Sequence, residues 1–322
     1  MSSHPPGVLD PSAPGTAVVQ LPRLRMLCCP SCRGALSEDL RCMGCGIEFR
    51  LTHGIPDMLL PTERSEVEAF LTEYNAIRRA QGWEVTELEK LPYEGGAPAA
   101  YWRFRRRSFE VIREHCAVPP APGSVALDIG AGVAWLTRWL AEWGYEATAI
   151  DVNIAPPLGL SGGNPCIRAG RAFNRVRAGI DRLPFDDATA DLVVLNASLT
   201  YARDPAGVIR RVQEILRPGG RVIIADTPIY RTLKGGESMS RRLYRHHRRA
   251  LGRAPIYHER FTYILKQSLF RYLEDAGFEF KVVEPAPDLW WRFYVLRNRL
   301  ALREPVWMPV IVARKRDGGR LR

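Results

Sequence analysis

The stretch from Val125 to Gly132, VALDIGAG, constrains this chain more than any other. An apolar run of β type breaks into Gly130-Ala131-Gly132, where the backbone can turn tightly and approach a ligand with no Cβ in the way. Trp135 to Trp143 then reads as a helix. A second apolar run, EATAIDVN, ends in Asp151, 23 residues after Asp128. A carboxylate at the close of that strand can accept hydrogen bonds from both hydroxyls of a ribose. Such a turn and acid suit NAD, FAD or S-adenosylmethionine (SAM). The dinucleotide fingerprint needs a third glycine three positions after the second, and Trp135 stands there, which disfavours a pyrophosphate. Asp128, two residues before the first glycine, suits a ligand that carries an ammonium and a sulfonium better than one that carries phosphates.

In order and spacing these residues resemble class I SAM-dependent methyltransferases. LDIGAG is similar to the first motif of that family, AIDVN to the acidic end of its second strand, DRLPFDDATADLVVLNAS to its third and fourth motifs, and ILRPGGRVIIAD to the helix and strand that follow. The resemblance covers Ser124 to Pro228. It implies an α/β, Rossmann-like class I methyltransferase fold with a seven-stranded, mainly parallel sheet whose last strand, WMPVIVAR, is antiparallel. It also implies site roles. Asp128, Gly130, Ala131 and Gly132 would hold the methionine end of SAM, Asp151 the ribose, and Val152 would lie against the adenine. Ile180 and Asp181 would frame the base, with Asn196 and Ala197 at the methionine end of the fourth strand. Two positions depart from the family pattern: Ala134 replaces a common glycine, and Gly179 stands where an acid is frequent.

Alternation of apolar runs and helical spacing places strands near 124–130, 146–152, 174–180, 190–197, 221–227, 279–285 and 307–314. Helices intervene, notably Pro205 to Leu216 and Thr262 to Ala276. Upstream, Ser65 to Arg79 (Val67, Phe70, Leu71, Tyr74) and Tyr101 to Cys116 read as helices over the cofactor mouth, where Tyr101, Trp102 and Arg105 either help close it or pack between domains. The organisation expected is a disordered leader at 1–24, a zinc ribbon at 25–61, a helical cap at 62–116, a catalytic domain at 117–316 with an insertion at 229–261, and a tail at 317–322.

The ribbon rests on cysteine spacing. Cys29-Pro-Ser-Cys32 and Cys42-Met-Gly-Cys45 can each put two thiolates on a tight turn, and a short hairpin brings the pairs together around one structural zinc ion. Cys29 is a better ligand than its neighbour Cys28, whose gap to Cys32 is three residues. Disulfides are the alternative, but nothing in the sequence points to an oxidising compartment. Cys116 and Cys166 read as buried residues, and His53 as a surface histidine. The continuation GIEFRLTHGIPDMLLP resembles the end of small Trm112-like zinc ribbons, which occur alone as methyltransferase activators or fused in front of bacterial methyltransferases. The ribbon is expected to stand away from the SAM site and to need zinc for folding.

The net charge of +11 suits nucleic acid, an anionic membrane surface or an acidic substrate, although only five of the 46 basic residues are lysine, a bias that codon usage can also produce. Basic residues concentrate at Arg103 to Arg107 and Ser240 to Arg253. No uncharged apolar run is long enough to span a bilayer, and a cytoplasmic protein is expected. Candidates for acceptor contact and acid–base work are His258, Tyr201 and Asp226, with Asn196, Tyr230, His246 and His247 beside them, all after strand ends or in the insertion. A dedicated base is not required, because the sulfonium is already activated. The fourth strand ends LNASLTYA, without the NPPY or DPPY motif of amino-methylating DNA and protein enzymes. The reading that follows is O- or N-methylation of a small or medium-sized metabolite. Its rivals are an RNA methyltransferase that uses the ribbon for recognition, and an inactive fold that uses the ribbon to dock a protein partner.

Overall fold

The computed structural model describes residues 26–117, 120–170, 173–256, 263–301 and 303–316. The leader expected at 1–24, the tail at 317–322 and His258 lie outside the described residues. The cysteine segment ends in a hairpin of β1 (Arg50–Thr52) and β2 (Ile55–Asp57), followed by helices α1 (Arg64–Ala80) and α2 (Ala99–Cys116). Next come β3 (Val125–Ile129), α3 (Trp135–Glu142), β4 (Glu146–Asp151), β5 (Asn174–Arg177) and β6 (Ala190–Asn196). The chain continues through α4 (Pro205–Ile215), β7 (Leu216–Ala225), α5 (Leu233–Leu251), α6 (Lys266–Asp275), β8 (Phe278–Val283), α7 (Leu289–Leu300) and β9 (Val310–Lys315).

One sheet holds nine strands in the order β1-β2-β5-β4-β3-β6-β7-β9-β8. Strands β5, β4, β3, β6 and β7 are parallel, and β9 runs antiparallel to β7 and β8, as the resemblance implies. All five residues of β3 are buried, as expected of a parallel strand with both faces covered. Strand order reverses at β3, which has β4 on one side and β6 on the other. The loops after β3 and β6 therefore part and open a crevice at their carboxyl ends.

The sequence expects seven strands and a ribbon apart from them; the sheet has those seven and two more. Strand β2 pairs in parallel with β5, Asp57 opposite Arg177, and the Met58 N–H donates to the Arg177 carbonyl at 2.8 Å. The physical reason is apolar area. Leu27, Leu40, Phe49, Met58 and Leu60 have too little company to form a core and instead join Phe185, Val193 and Leu195 on one face of the sheet. The expected distance between ribbon and sheet is thereby corrected.

A buried ion pair holds the junction. Asp57 is wholly buried and accepts from Arg177 Nη1 at 3.2 Å, Thr52 Oγ1 at 3.2 Å and the Leu59 N–H at 3.3 Å, with Arg64 also on its carboxylate. Arg177 Nε donates in turn to the Val152 carbonyl at 2.8 Å. On the other face, Phe109 of α2 sits among Trp135, Trp139 and Trp143, with ring centroids 5.2–5.8 Å away. The insertion carries α5, which buries His247 and exposes Arg245, His246, Arg248 and Arg249. Helix α7 has no counterpart in the sequence expectation, because its apolar residues do not all face inward.

Candidate active site

Helices α1 and α2 roof the crevice and enclose a cavity of about 540 Å³. Its floor is the turn after β3. Gly130 has φ +76° and lies so close to Ser198 that an added Cβ would sit 2.3 Å from the serine Cβ. Gly132 has φ +55°, and Ala134, at the departing position, keeps the left-handed conformation at φ +61° despite its methyl group. Asp151 fixes this turn: its Oδ2 accepts from the Gly132 N–H and its Oδ1 from the Asn153 N–H, each at 2.8 Å. Each carboxylate oxygen retains a further lone pair, and Asp151 lines the cavity. Burial pushes its carboxyl above the ordinary range. Asp128 is more deeply set, accepts from Thr137 Oγ1 at 2.7 Å, and is pushed up to about 7 by burial.

Ala131, Val152, Ile180, Asp181, Asn196 and Ala197 join these residues in the cavity wall. Asp181 Oδ1 accepts from the Arg203 N–H at 2.9 Å. Asn196 Oδ1 and Ser198 Oγ are buried and have no hydrogen-bond partner among the described residues.

The roof is aromatic and cationic. Tyr201 accepts at its hydroxyl from Arg78 Nη2 at 3.0 Å and meets Phe70 and Tyr74 edge-on. The Arg78 guanidinium lies 4.9 Å from the Tyr74 ring centroid and 4.8 Å from that of Trp83. Arg105 lies 5.0 Å from the Trp83 centroid and 4.8 Å from that of Trp102. Arg78 and Trp83 escaped the sequence reading. Their signal was present, since Tyr74 and Arg78 are four residues apart on the aromatic face of α1.

Other candidates lie elsewhere. Tyr101 is exposed and outside the cavity wall. Asp226 follows β7 with φ +50° and is also outside the wall. Burial raises its carboxyl, and Arg105, Ser108 and Arg107 of α2 offset part of the rise. Tyr230 is buried away from the cavity, and His246 is exposed on α5 beside the end of α1, its Nε2 3.3 Å from Gln81 Nε2. Tyr101 and His246 sit on solvent-facing positions of their helices, while Asp226 and Tyr230 follow the end of β7, and spacing along the chain does not reveal which of these faces the crevice.

The cysteine segment brings together Cys29, Cys32, Cys42 and Cys45, whose sulfurs all lie within 4.8 Å of one another. Cys29 is 3.7 Å from Cys45 and Cys32 is 3.4 Å from Cys42. A zinc tetrahedron with ~2.3 Å bonds has edges of about 3.8 Å. Gly34 and Gly44 leave the room: a Cβ on Gly34 would lie 3.2 Å from Cys42 Sγ, and one on Gly44 3.4 Å from Cys32 Sγ. Cys28 is outside the cluster, and burial pushes its thiol up to about 11. His53 is exposed at the β1–β2 turn.

Residues 101–283 match the family described as "Methyltransferase domain". A demethylmenaquinone methyltransferase of Mycolicibacterium gilvum is 32% identical over 124 residues, which are 38% of this chain and 49% of that protein. The protein of the same name from Mycobacterium marinum is 30% identical over 131 residues, 40% of this chain and 50% of its own length. The chain thus spans about half the length of the curated relatives it matches. Among solved structures, a 1,6-didemethyltoxoflavin N1-methyltransferase of Burkholderia thailandensis superposes with a TM-score of 0.48 at 18% identity, over 80% of this chain and 92% of that one.

Proposed function

The chain belongs to the methyltransferase-domain family, which matches more than half of its residues, and we propose that it transfers a methyl group from SAM to a small, planar, acidic acceptor held under α1 and α2. Two features of the cavity fit SAM. Asp128 and Asp151 place carboxyl groups where a cationic ligand with a ribose would lie, and the orphaned Asn196 Oδ1 and Ser198 Oγ offer acceptors to its ammonium. When bound, SAM supplies a methyl group already activated by its sulfonium.

The remaining work is positioning. Phe70, Tyr74 and Tyr201 offer ring faces and edges to a flat acceptor, while Arg78 and Arg105 favour the ionised form of an acidic oxygen or nitrogen on it. An acceptor held as its anion needs no dedicated base. The roof also keeps water from the reacting groups. The observation that carries the reading is this pairing of a buried and a half-buried acid below with two guanidinium groups stacked on aromatic rings above in one cavity. The relatives named demethylmenaquinone methyltransferases support a small-molecule acceptor.

Phosphate recognition draws less support from the Arg103–Arg107 run. Arg105 is stacked in the cavity roof, Arg106 lies 5.0 Å from the Tyr93 centroid, and Arg107 donates to the Pro285 and Ala286 carbonyls at 2.8 Å. For the cysteine cluster we infer a structural zinc ion, since four thiolates fill its shell and leave no position for substrate.

The test is methyl transfer from labelled SAM to a panel of phenols and aromatic acids set against aliphatic amines and structured RNA. Phenols or aromatic acids should accept the label, with KM raised by Arg105→Gln. Labelling of RNA alone, or no binding of SAM or S-adenosylhomocysteine in calorimetry, would overturn the proposal. Asp151→Ala should weaken SAM binding by more than about tenfold, because a carboxylate that accepts from two ribose hydroxyls contributes about 1.5–3 kcal/mol; unchanged affinity would remove Asp151 from the site.

A further inference from the structure

Helix α7 has two unlike faces. Trp291, Tyr294 and Asn298, spaced three and four residues apart, form the inner one: the Trp291 and Tyr294 rings stack at 5.2 Å, and Phe104 of α2 lies 5.2 Å from Trp291. Arg107 sits 4.8 Å over the same tryptophan, and Asn298 is buried. The outer face is Leu289, Phe293, Leu296 and Leu300, at intervals of four, three and four residues, which puts all four on one stripe. These side chains are 83%, 59%, 55% and 77% exposed, and no contact within the described chain covers the stripe.

A stripe of this size facing water needs an occupant, and the flanks select one. On a helical wheel Arg292 and Arg299 border the stripe on one side, and Arg297 and Trp290 border it on the other, all exposed. Arginines and a tryptophan at the margins of an apolar helix face match the boundary between lipid headgroups and acyl chains. The complementary surface is anionic, because the whole chain carries +11. A second copy would bring the same arginines and the same net charge to the contact. No described helix is long and apolar enough to cross a membrane, so α7 would lie along a surface.

We propose that α7 is an interfacial docking helix that seats this protein on an anionic lipid bilayer, with Leu289, Phe293, Leu296 and Leu300 in the acyl boundary and the flanking arginines at lipid phosphates. The helix rests on Phe104, the residue before Arg105 of the cavity roof, so docking would bring that roof toward the lipid. The proposal does not depend on the identity of the methyl acceptor.

Co-sedimentation of the full chain with phosphatidylcholine vesicles, with and without phosphatidylglycerol, tests it. Wild type should pellet with the phosphatidylglycerol vesicles, and should do so less with rising salt or with phosphatidylcholine alone. The double variant Phe293→Glu, Leu296→Glu changes only exposed side chains; its circular dichroism and S-adenosylhomocysteine affinity should match wild type while vesicle affinity falls about tenfold or more. Wild type that stays in solution, a variant that pellets equally well, or equal binding to neutral vesicles would overturn the proposal. So would a wild-type dimer in sedimentation velocity that the variant makes monomeric without any vesicle binding in either.

Discussion

Replacing Asp57 with alanine strikes the junction between the cysteine segment and the parallel sheet. Removing one partner of a buried ion pair commonly costs about 3–5 kcal/mol, because the other charge is left unpaired in a dry site. Here Arg177, only 6% exposed, keeps the Val152 carbonyl and Glu68, but Glu68 is 59% exposed and an ion pair with so open a partner is worth little. We therefore expect Asp57→Ala to cost about 2–4 kcal/mol in urea unfolding of the zinc-loaded chain at pH 7. Burial raises the Asp57 carboxyl, but the Arg64 hydrogen bond and the charges of Arg177 and Arg64 outweigh it and hold the group below its ordinary value. A depressed carboxyl contributes stability above its unfolded value of about 3.9 and loses it as pH falls through the folded value. The gap between wild type and variant should thus be flat at neutral pH and close in acid. Adding Arg177→Met should recover part of the loss, since it removes the stranded charge. A single variant within about 0.5 kcal/mol of wild type at pH 7, or a gap that widens in acid, would refute this account of the junction.

Three further outcomes follow from the site. Asp128 keeps its proton in the folded chain up to about pH 7 while the unfolded chain releases it near 4, so wild-type stability should fall as pH rises between those values; Asp128→Asn should flatten that slope in thermal melts and weaken SAM binding at pH 8. Elemental analysis should find one zinc per chain in wild type and none in Cys42→Ser. Because Leu59 and Glu63 line the cavity just beyond the hairpin, that variant should also lose SAM affinity, and retained affinity would show the two regions to be independent. Gly130→Ala should cost more than about 2 kcal/mol in denaturant titration, since it combines φ +76° with a 2.3 Å clash against Ser198, and a neutral result would contradict the geometry of the turn.

The catalytic sheet was legible because its signals are local. VALDIGAG, EATAID and ILRPGGRVIIA are continuous apolar runs that end in turns, and a parallel strand covered on both faces has no other pattern to offer. The cysteine quartet was legible for a similar reason, since ligand spacing is written along the chain. What lay hidden depends on long-range packing. The pairing of β2 with β5 spans 120 residues between Asp57 and Arg177, and the three-residue β2 carries no period by which to read it. The roof was foreseen as a cap to which Trp102 and Arg105 contribute, but not with Arg78 and Trp83 in it, because Phe70 and Tyr74 look in sequence like an ordinary core-facing stripe. Asp226 stands outside the cavity wall with a positive φ, a backbone conformation that residue identity does not announce.

The hairpin on β5 also has a consequence for solubility. A parallel strand at the rim of a sheet presents unpaired N–H and C=O groups, an open template on which another chain can add a strand. At the far rim, β8 carries Glu279 and Lys281, charges that discourage such addition. At the near rim, β2 covers β5, and the Met58 N–H occupies the Arg177 carbonyl. If a metal ion holds the cysteine segment folded, that ion guards the rim from a distance. A chain that loses it would uncover β5 together with the apolar faces of Phe49, Met58 and Leu60. Metal starvation would then show itself as self-association by strand addition before any loss of secondary structure.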